Sequence, residues 1–303
     1  MKRVDILNLK CYISEKNIIK KILLLLNEVD VELVLCAYNT KRRIPSSLDY
    51  LKKYAKYGYT DLLFMFTDDV WDVSHLRAIL DSAAEGGHDT FVKLKEKYKM
   101  KVETNHYCMM ARGGHLKLLK SLNPFRLDHC VAISAAEGGH LDVLKYLKSI
   151  DSRWDERTCR VAAKERHFDV LVYAINEGCP CDSSVIIWAV YHGDLKMLQW
   201  AINKGCIYDQ TDIANIATRR GHTHILQWTK DYFTTIPHID NDAIVETIER
   251  NNLDCLKWLF ANYQGYQHKK RFCTMAAKFG HLEMFEWLRS QGCPCRKDIS
   301  RFF

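Results

Sequence analysis

Two Cys-Pro-Cys triplets, Cys179/Cys181 and Cys293/Cys295, and the pair His222-x-His224 are where this chain gathers sulfur and imidazole most closely. Zinc sites and acid–base catalysis draw on these groups. The spacing argues against zinc. Structural knuckles separate their cysteines by two to four residues, and no His stands at a matching distance in both triplets. No phosphate-cradling glycine loop, Gly-x-Ser-x-Gly elbow, kinase set or His-Glu-x-x-His is present. The expectation is therefore no catalytic residue, no metal and no cofactor. The 12 cysteines are scattered along 303 residues with no export signal, so reduced thiols are expected. Cys179, Cys206 and Cys293 each follow a Gly at one phase of a recurring pattern, which reads as a small buried packing residue.

That pattern explains the histidines as well. Of the 13 present, six share one phase, and a catalytic group has no reason to recur in every copy of a repeat. Aligned on His140 of AAEGGHLDVLKYLKS, nine anchors emerge: Tyr59, His88, His115, His140, His167, Asp194, His222, Asn252 and His281. With Asp30 as a degenerate tenth, the spacings are 29, 29, 27, 25, 27, 27, 28, 30 and 29. Before each anchor an Ala-rich apolar segment runs into a Gly, which takes the left-handed conformation that ends a helix. After it, apolar residues at +1, +3, +4, +6 and +7 form a helical stripe. Each copy reads as helix, tight turn, helix. All 14 glycines fit this frame, ten at the turn and four, Gly178, Gly205, Gly265 and Gly292, after the second helix.

The Ala-Ala-x-x-Gly-His-Leu-x-x-Leu-x-x-Leu core resembles the ankyrin repeat, and Gly-Cys-Pro-Cys-Asp at 178–182 resembles the short, mimivirus-like variants of giant DNA viruses and their amoebal hosts. Residues 51–303 carry the resemblance closely, and residues 16–50 loosely. Two features depart from that family: the Thr-Pro-Leu-His opening is absent, and the period is shorter than the usual ~33. The resemblance implies an all-α, ankyrin-like solenoid of nine to ten helix-turn-helix repeats with shortened or missing β-hairpin fingers. Residues 1–50 are then an N-terminal helical cap and 51–303 the array. One helix pair cannot cover its own apolar face, so each Leu or aromatic buried between neighbours contributes roughly 1.5–3 kcal/mol.

The composition, 48% hydrophobic and 27% charged with 5 prolines, suits a compact chain, and its longest apolar run is too short to span a bilayer. An intracellular, cytoplasmic monomer is expected, in the host cytoplasm if the protein is viral. Tyr146, Tyr173, Trp200, Trp228, Trp258 and Trp287 all lie six residues after their anchors and are expected to stack as a ladder between second helices, with partial burial of Trp154. The net charge of +7 is spread along the chain, with clusters at Lys41-Arg42-Arg43 and His268-Lys269-Lys270-Arg271 read as solvated loops.

The resemblance implies a scaffold that binds protein partners, host proteins among them, on its concave side and loop tips. It implies no small-molecule substrate and no membrane. The candidate contacts are Arg153, Tyr208, Gln210 and His238 in the inter-repeat turns, with Lys269, Lys270 and Arg271. A ubiquitin-ligase substrate receptor is the alternative, since residues 17–43 vaguely resemble a degenerate F-box that lacks its Leu-Pro opening. Nucleic-acid binding through the positive balance ranks third and predicts a steep salt dependence.

Overall fold

The computed structural model describes residues 48–64, 72–124, 126–233, 237–263 and 270–294. It forms two compact units. The first, Met1–Phe125, contains three described helix pairs: α1 (Leu48–Lys56) with α2 (Thr60–Phe64), α3 (Val73–Gly86) with α4 (Thr90–Lys97), and α5 (Thr104–Arg112) with α6 (Leu116–Ser121). The second, Arg126–Phe303, contains six: α7 (His129–Gly138) with α8 (Leu141–Ser149), α9 (Glu156–Lys164) with α10 (Phe168–Asn176), and α11 (Ser183–His192) with α12 (Leu195–Asn203). It continues through α13 (Gln210–Arg220) with α14 (Thr223–Tyr232), α15 (Asn241–Glu249) with α16 (Leu253–Asn262), and α17 (Lys270–Lys278) with α18 (Leu282–Ser290). The described residues are all helix and turn, with no strand among them. The helical cap expected over residues 1–50 lies almost wholly outside the described residues, and the F-box-like stretch entirely so.

Every anchor sits at the corner between the two helices of its pair, and most corners share one geometry; at His88 the left-handed Gly87 donates instead to Ala83 O, four residues back (3.1 Å), and the second helix begins at Thr90. The anchor N–H donates to the carbonyl five residues back, as in His140 to Ala135 (3.0 Å), His167 to Ala162 (2.9 Å) and His281 to Ala276 (2.9 Å). The residue before it is left-handed and donates three residues back, so the first helix ends in a Schellman motif. The anchor then takes φ near −85° and ψ near 75°, as at His167 and His281. There it is the centre of an inverse γ-turn whose closing bond runs from Phe168 N–H to Arg166 O (3.1 Å) or Leu282 N–H to Gly280 O (3.1 Å). Gly usually holds the left-handed position, but Arg166 occupies it at φ +66°. Relief of that strain, less the extra freedom of the unfolded chain, makes Arg166→Gly stabilising by about 0.5–1 kcal/mol, readable as a higher urea midpoint.

The core is narrower than the stripe in the sequence. Ala135/Ala136, Ala162/Ala163 and Ala276/Ala277 are buried where first helices pack closely, and second helices bury +3, +4 and +7, as in Val143, Leu144 and Leu147. Positions +1 and +6 stay partly open, with Phe168 and Leu282 exposed. The inter-repeat turns end in an acidic cap. Asp72, Asp155, Asp182 and Asp209 each accept a backbone N–H in the first turn of the next first helix, at 2.9, 3.1, 3.0 and 2.6 Å. A cap of this kind contributes about 1 kcal/mol.

Cys179, Cys206 and Cys293 are buried, at the position after a left-handed Gly that closes the second helix. The expectation of reduced thiols fails at Cys181 and Cys206, which form a disulfide with Cα atoms 5.3 Å apart, and Cys273 is disulfide-bonded as well. The second Cys of the 179–181 triplet lies two residues beyond the buried phase, where it faces the buried-phase Cys of the following repeat. Cys108, Cys130, Cys159, Cys179, Cys255 and Cys293 take part in no disulfide.

Candidate protein-binding surface

Four of the six anchor imidazoles bond a carbonyl of the preceding repeat. His115 Nε2 reaches Glu85 O (2.7 Å) in the first unit. In the second, His167 Nε2 reaches Glu137 O (3.2 Å), His222 Nε2 reaches Tyr191 O (3.1 Å) and His281 Nε2 reaches Glu249 O (3.1 Å). A carbonyl only accepts, so each of these Nε2 atoms carries the proton. Each target lies two residues before the left-handed corner of the preceding repeat, among carbonyls that a helix end leaves without an internal partner. Where the anchor is Asp194, His192 takes over the same task with Lys164 O (2.7 Å). His224 adds a bond to Gly193 O (2.9 Å), so the His-x-His pair serves two separate carbonyls.

Burial holds two imidazoles below their ordinary value of 6.5. For His106 burial outweighs the opposing pull of Asp81, whose Oδ1 is 3.1 Å from Nε2, and of Glu103. For His222 the neighbouring His224, Arg220 and His192 act in the same direction as burial, against the bond to Tyr191 O. Below pH 6.5 the unfolded chain therefore binds more protons than the folded one, and stability is lost as pH falls through the folded values. Urea midpoints are expected to be flat from about pH 8 to 7 and to drop on acidification towards about 5, with the drop reduced in His106→Gln and His222→Gln. Burial quiets two of the buried thiols, pushing Cys293 up and Cys255 up to about 12.

The aromatic ladder is corrected by the structure. The six rings at +6 are half-buried, and five of them pack on an aromatic of another phase: Tyr173 on Trp154 (6.2 Å), Trp200 on Phe168 (5.4 Å), Trp228 on Tyr232 (4.6 Å), Trp258 on Tyr263 (6.1 Å) and Trp287 on Phe260 (5.0 Å). Trp258 also donates Nε1–H to Gln227 Oε1 (3.1 Å). Rings one repeat apart are too distant to touch without an intervening side chain, and the +1 and corner aromatics supply it. Trp154 is half-buried, as expected.

The sequence-derived contact residues are spread over four inter-repeat corners and are not gathered into one patch. Arg153 is exposed before α9, its N–H bonded to Leu127 O (3.4 Å). Tyr208, before α13, packs its ring 5.9 Å from Phe233, and Gln210 is the first residue of α13. His238 is exposed before α15, with Nε2 3.7 Å from Asp240 Oδ1. Lys270 and Arg271 are not loop residues. They open α17, and Arg271 Nη1 pairs with Asp242 Oδ1 (2.9 Å) of α15. Lys269 and the cluster at 41–43 lie outside the described residues.

Residues the periodic pattern leaves free are concentrated instead on the first helices. Along α9, α11 and α13, Arg157, Lys164, Tyr191 and Asp212 are exposed, and Arg160, Val161, Ile187, Trp188, Ile216, Arg219 and Arg220 are half-buried. Their types change from repeat to repeat while the corner beside them does not. Among the described residues no three His, Cys, Asp or Glu side chains converge as metal ligands, and no helix is long and apolar enough to cross a membrane.

No family model and no curated protein matches the chain. Among solved structures it is similar to the pentatricopeptide repeat protein PPR10 from maize, with a TM-score of 0.38, 10% identity and 94% of this chain covered. The chain spans 50% of that protein's length.

Proposed function

We propose that this helical-repeat protein is a non-catalytic scaffold of the short ankyrin-like type, binding protein partners through side chains on its first helices and inter-repeat turns. The observation that carries this reading is the division of labour at the corners. Imidazoles, left-handed glycines and capping aspartates recur and are engaged in bonds within or between repeats. The neighbouring first-helix positions do not repeat and hold mixed cationic, aromatic and aliphatic groups at the surface. Recurring polar groups engaged in this way are not available to substrate, which is why the reading is a surface and not a reaction.

Affinity capture with the full chain from its native cell, after nuclease treatment, tests this. A stoichiometric protein partner that survives nuclease and is displaced by substitutions on α9, α11 or α13 is the expected result. Recovery of nucleic acid alone, with a steep salt dependence, is the opposite one.

A further inference from the structure

On α11, Trp188, Tyr191 and His192 stand at i, i+3 and i+4, so all three share one face. Their rings form one cluster: Trp188 lies 5.2 Å from Tyr191 and stacks on His192 at 5.8 Å and 26°. His192 is fixed by Lys164 O and His222 by Tyr191 O, which makes the cluster rigid. Against it, from the last turn of α13, Arg220 lays its guanidinium over the Tyr191 ring, Cζ 3.9 Å from the centroid. Among the described residues no hydrogen bond or ion pair takes the N–H groups of Arg220. Imidazoles crowd around it: Arg220 acts on His222 together with the neighbouring His192 and His224. The acid that faces His192, Glu165, is held by Lys164 Nζ at 2.8 Å, and the other corner arginine, Arg219, lies 3.7 Å from Glu246.

A guanidinium whose plane is set by an aromatic ring, with its N–H fork free, is preorganised for a bidentate oxyanion. Beside it Val161, Trp188 and Ile216 occupy the same position of three consecutive repeats and are half-buried, giving an apolar row next to the cation. We propose that the first-helix face of α9, α11 and α13 docks an acidic segment of a partner protein: Arg220 takes one Asp or Glu carboxylate, and an adjoining aliphatic side chain rests on the row of Val161, Trp188 and Ile216. This rests on the scaffold reading above. A protein segment fits better than a nucleic acid because base stacking needs open ring faces, and here Arg220 covers Tyr191 while His192 covers Trp188.

The test is selection of displayed random dodecapeptides on the full chain, followed by affinity measurements on the enriched peptides. The expected sequences carry Asp or Glu beside Leu, Ile or Val. Changing that acid to its amide, or Arg220→Met in the protein, weakens binding by at least about tenfold, and the two losses do not add. Arg220→Lys keeps the charge and loses the fork, and is expected to weaken binding nearly as much. Unchanged melting temperatures in both variants show the fold intact. Enriched peptides without an acid, or equal affinity for Arg220→Met, overturn the docking site and leave the scaffold reading standing. No retained peptide together with tight, Arg220-dependent binding of a uridine dodecamer overturns both.

Discussion

Reduction of the Cys181–Cys206 bridge is expected to lower the unfolding free energy of the second unit by about 3.5 kcal/mol, the loop-closure value for a link over this length. The bond joins positions 25 residues apart, from the turn before α11 to the turn before α13. It therefore ties consecutive repeats across an interface that otherwise relies on packing and on bonds such as His222 to Tyr191 O. In a repeat array each unit is stabilised mainly by its neighbours, so a link of this kind acts on the cooperativity of unfolding as well as on its midpoint. Urea titrations with and without a dithiol reductant measure the effect. The double variant Cys181→Ser/Cys206→Ser should lose this contribution and respond less to reductant than the wild type, the remaining response belonging to the bridge at Cys273. A wild-type midpoint indifferent to reductant contradicts the stabilising role. The pair also reports its surroundings, because a glutathione-rich cytosol keeps thiols reduced. Alkylation of freshly lysed native cells reads its state there.

The backbone of this fold was legible because it is periodic. Nine anchors predicted nine corners, and the structure puts Tyr59, His140 and Asn252 alike at the start of a second helix. Left-handed glycines were legible for the same reason, since a conformation that excludes most side chains leaves a repeated mark in the composition. The partner of each bridging histidine was not legible. It is a backbone carbonyl about 30 residues upstream, as in His115 with Glu85, and backbone carries no residue code. His192 sits off the anchor phase and only geometry shows it standing in for Asp194. The Asp caps have a readable signal, an Asp just before six of the first helices followed by the apolar period, which the stronger recurrence of Gly and His masks. The bridge escaped because Cys181 is out of phase with Cys206, and equal phase was the criterion for grouping cysteines. The aromatic ladder erred in the opposite direction: equal phase is not contact when units are stacked a helix diameter apart. The Tyr191–Arg220 cluster has no periodic signature, which is what a surface specific to one partner requires.

Gly139→Ala is expected to destabilise the second unit by about 2–3 kcal/mol, and the size of the effect depends on a histidine in the next repeat. Gly139 sits at φ +74°, so any side chain there is strained. A Cβ would also stand 2.5 Å from His167 Nδ1 and 2.6 Å from its Cε1, forcing the imidazole away from Glu137 O. Gly205 separates the two terms, because it has φ +81° but nothing within 4 Å of an added Cβ. Gly205→Ala should therefore lose only the conformational part, about 1 kcal/mol. If the imidazole is what makes Gly139 costly to replace, His167→Ala and Gly139→Ala together should be less damaging than the sum of the two, with a coupling of about 1 kcal/mol in the favourable direction. Equal losses for Gly139→Ala and Gly205→Ala, or strict additivity with His167→Ala, mean that the glycine serves the turn alone. The recurrence of Gly before His would then reflect two independent requirements and not one fitted joint.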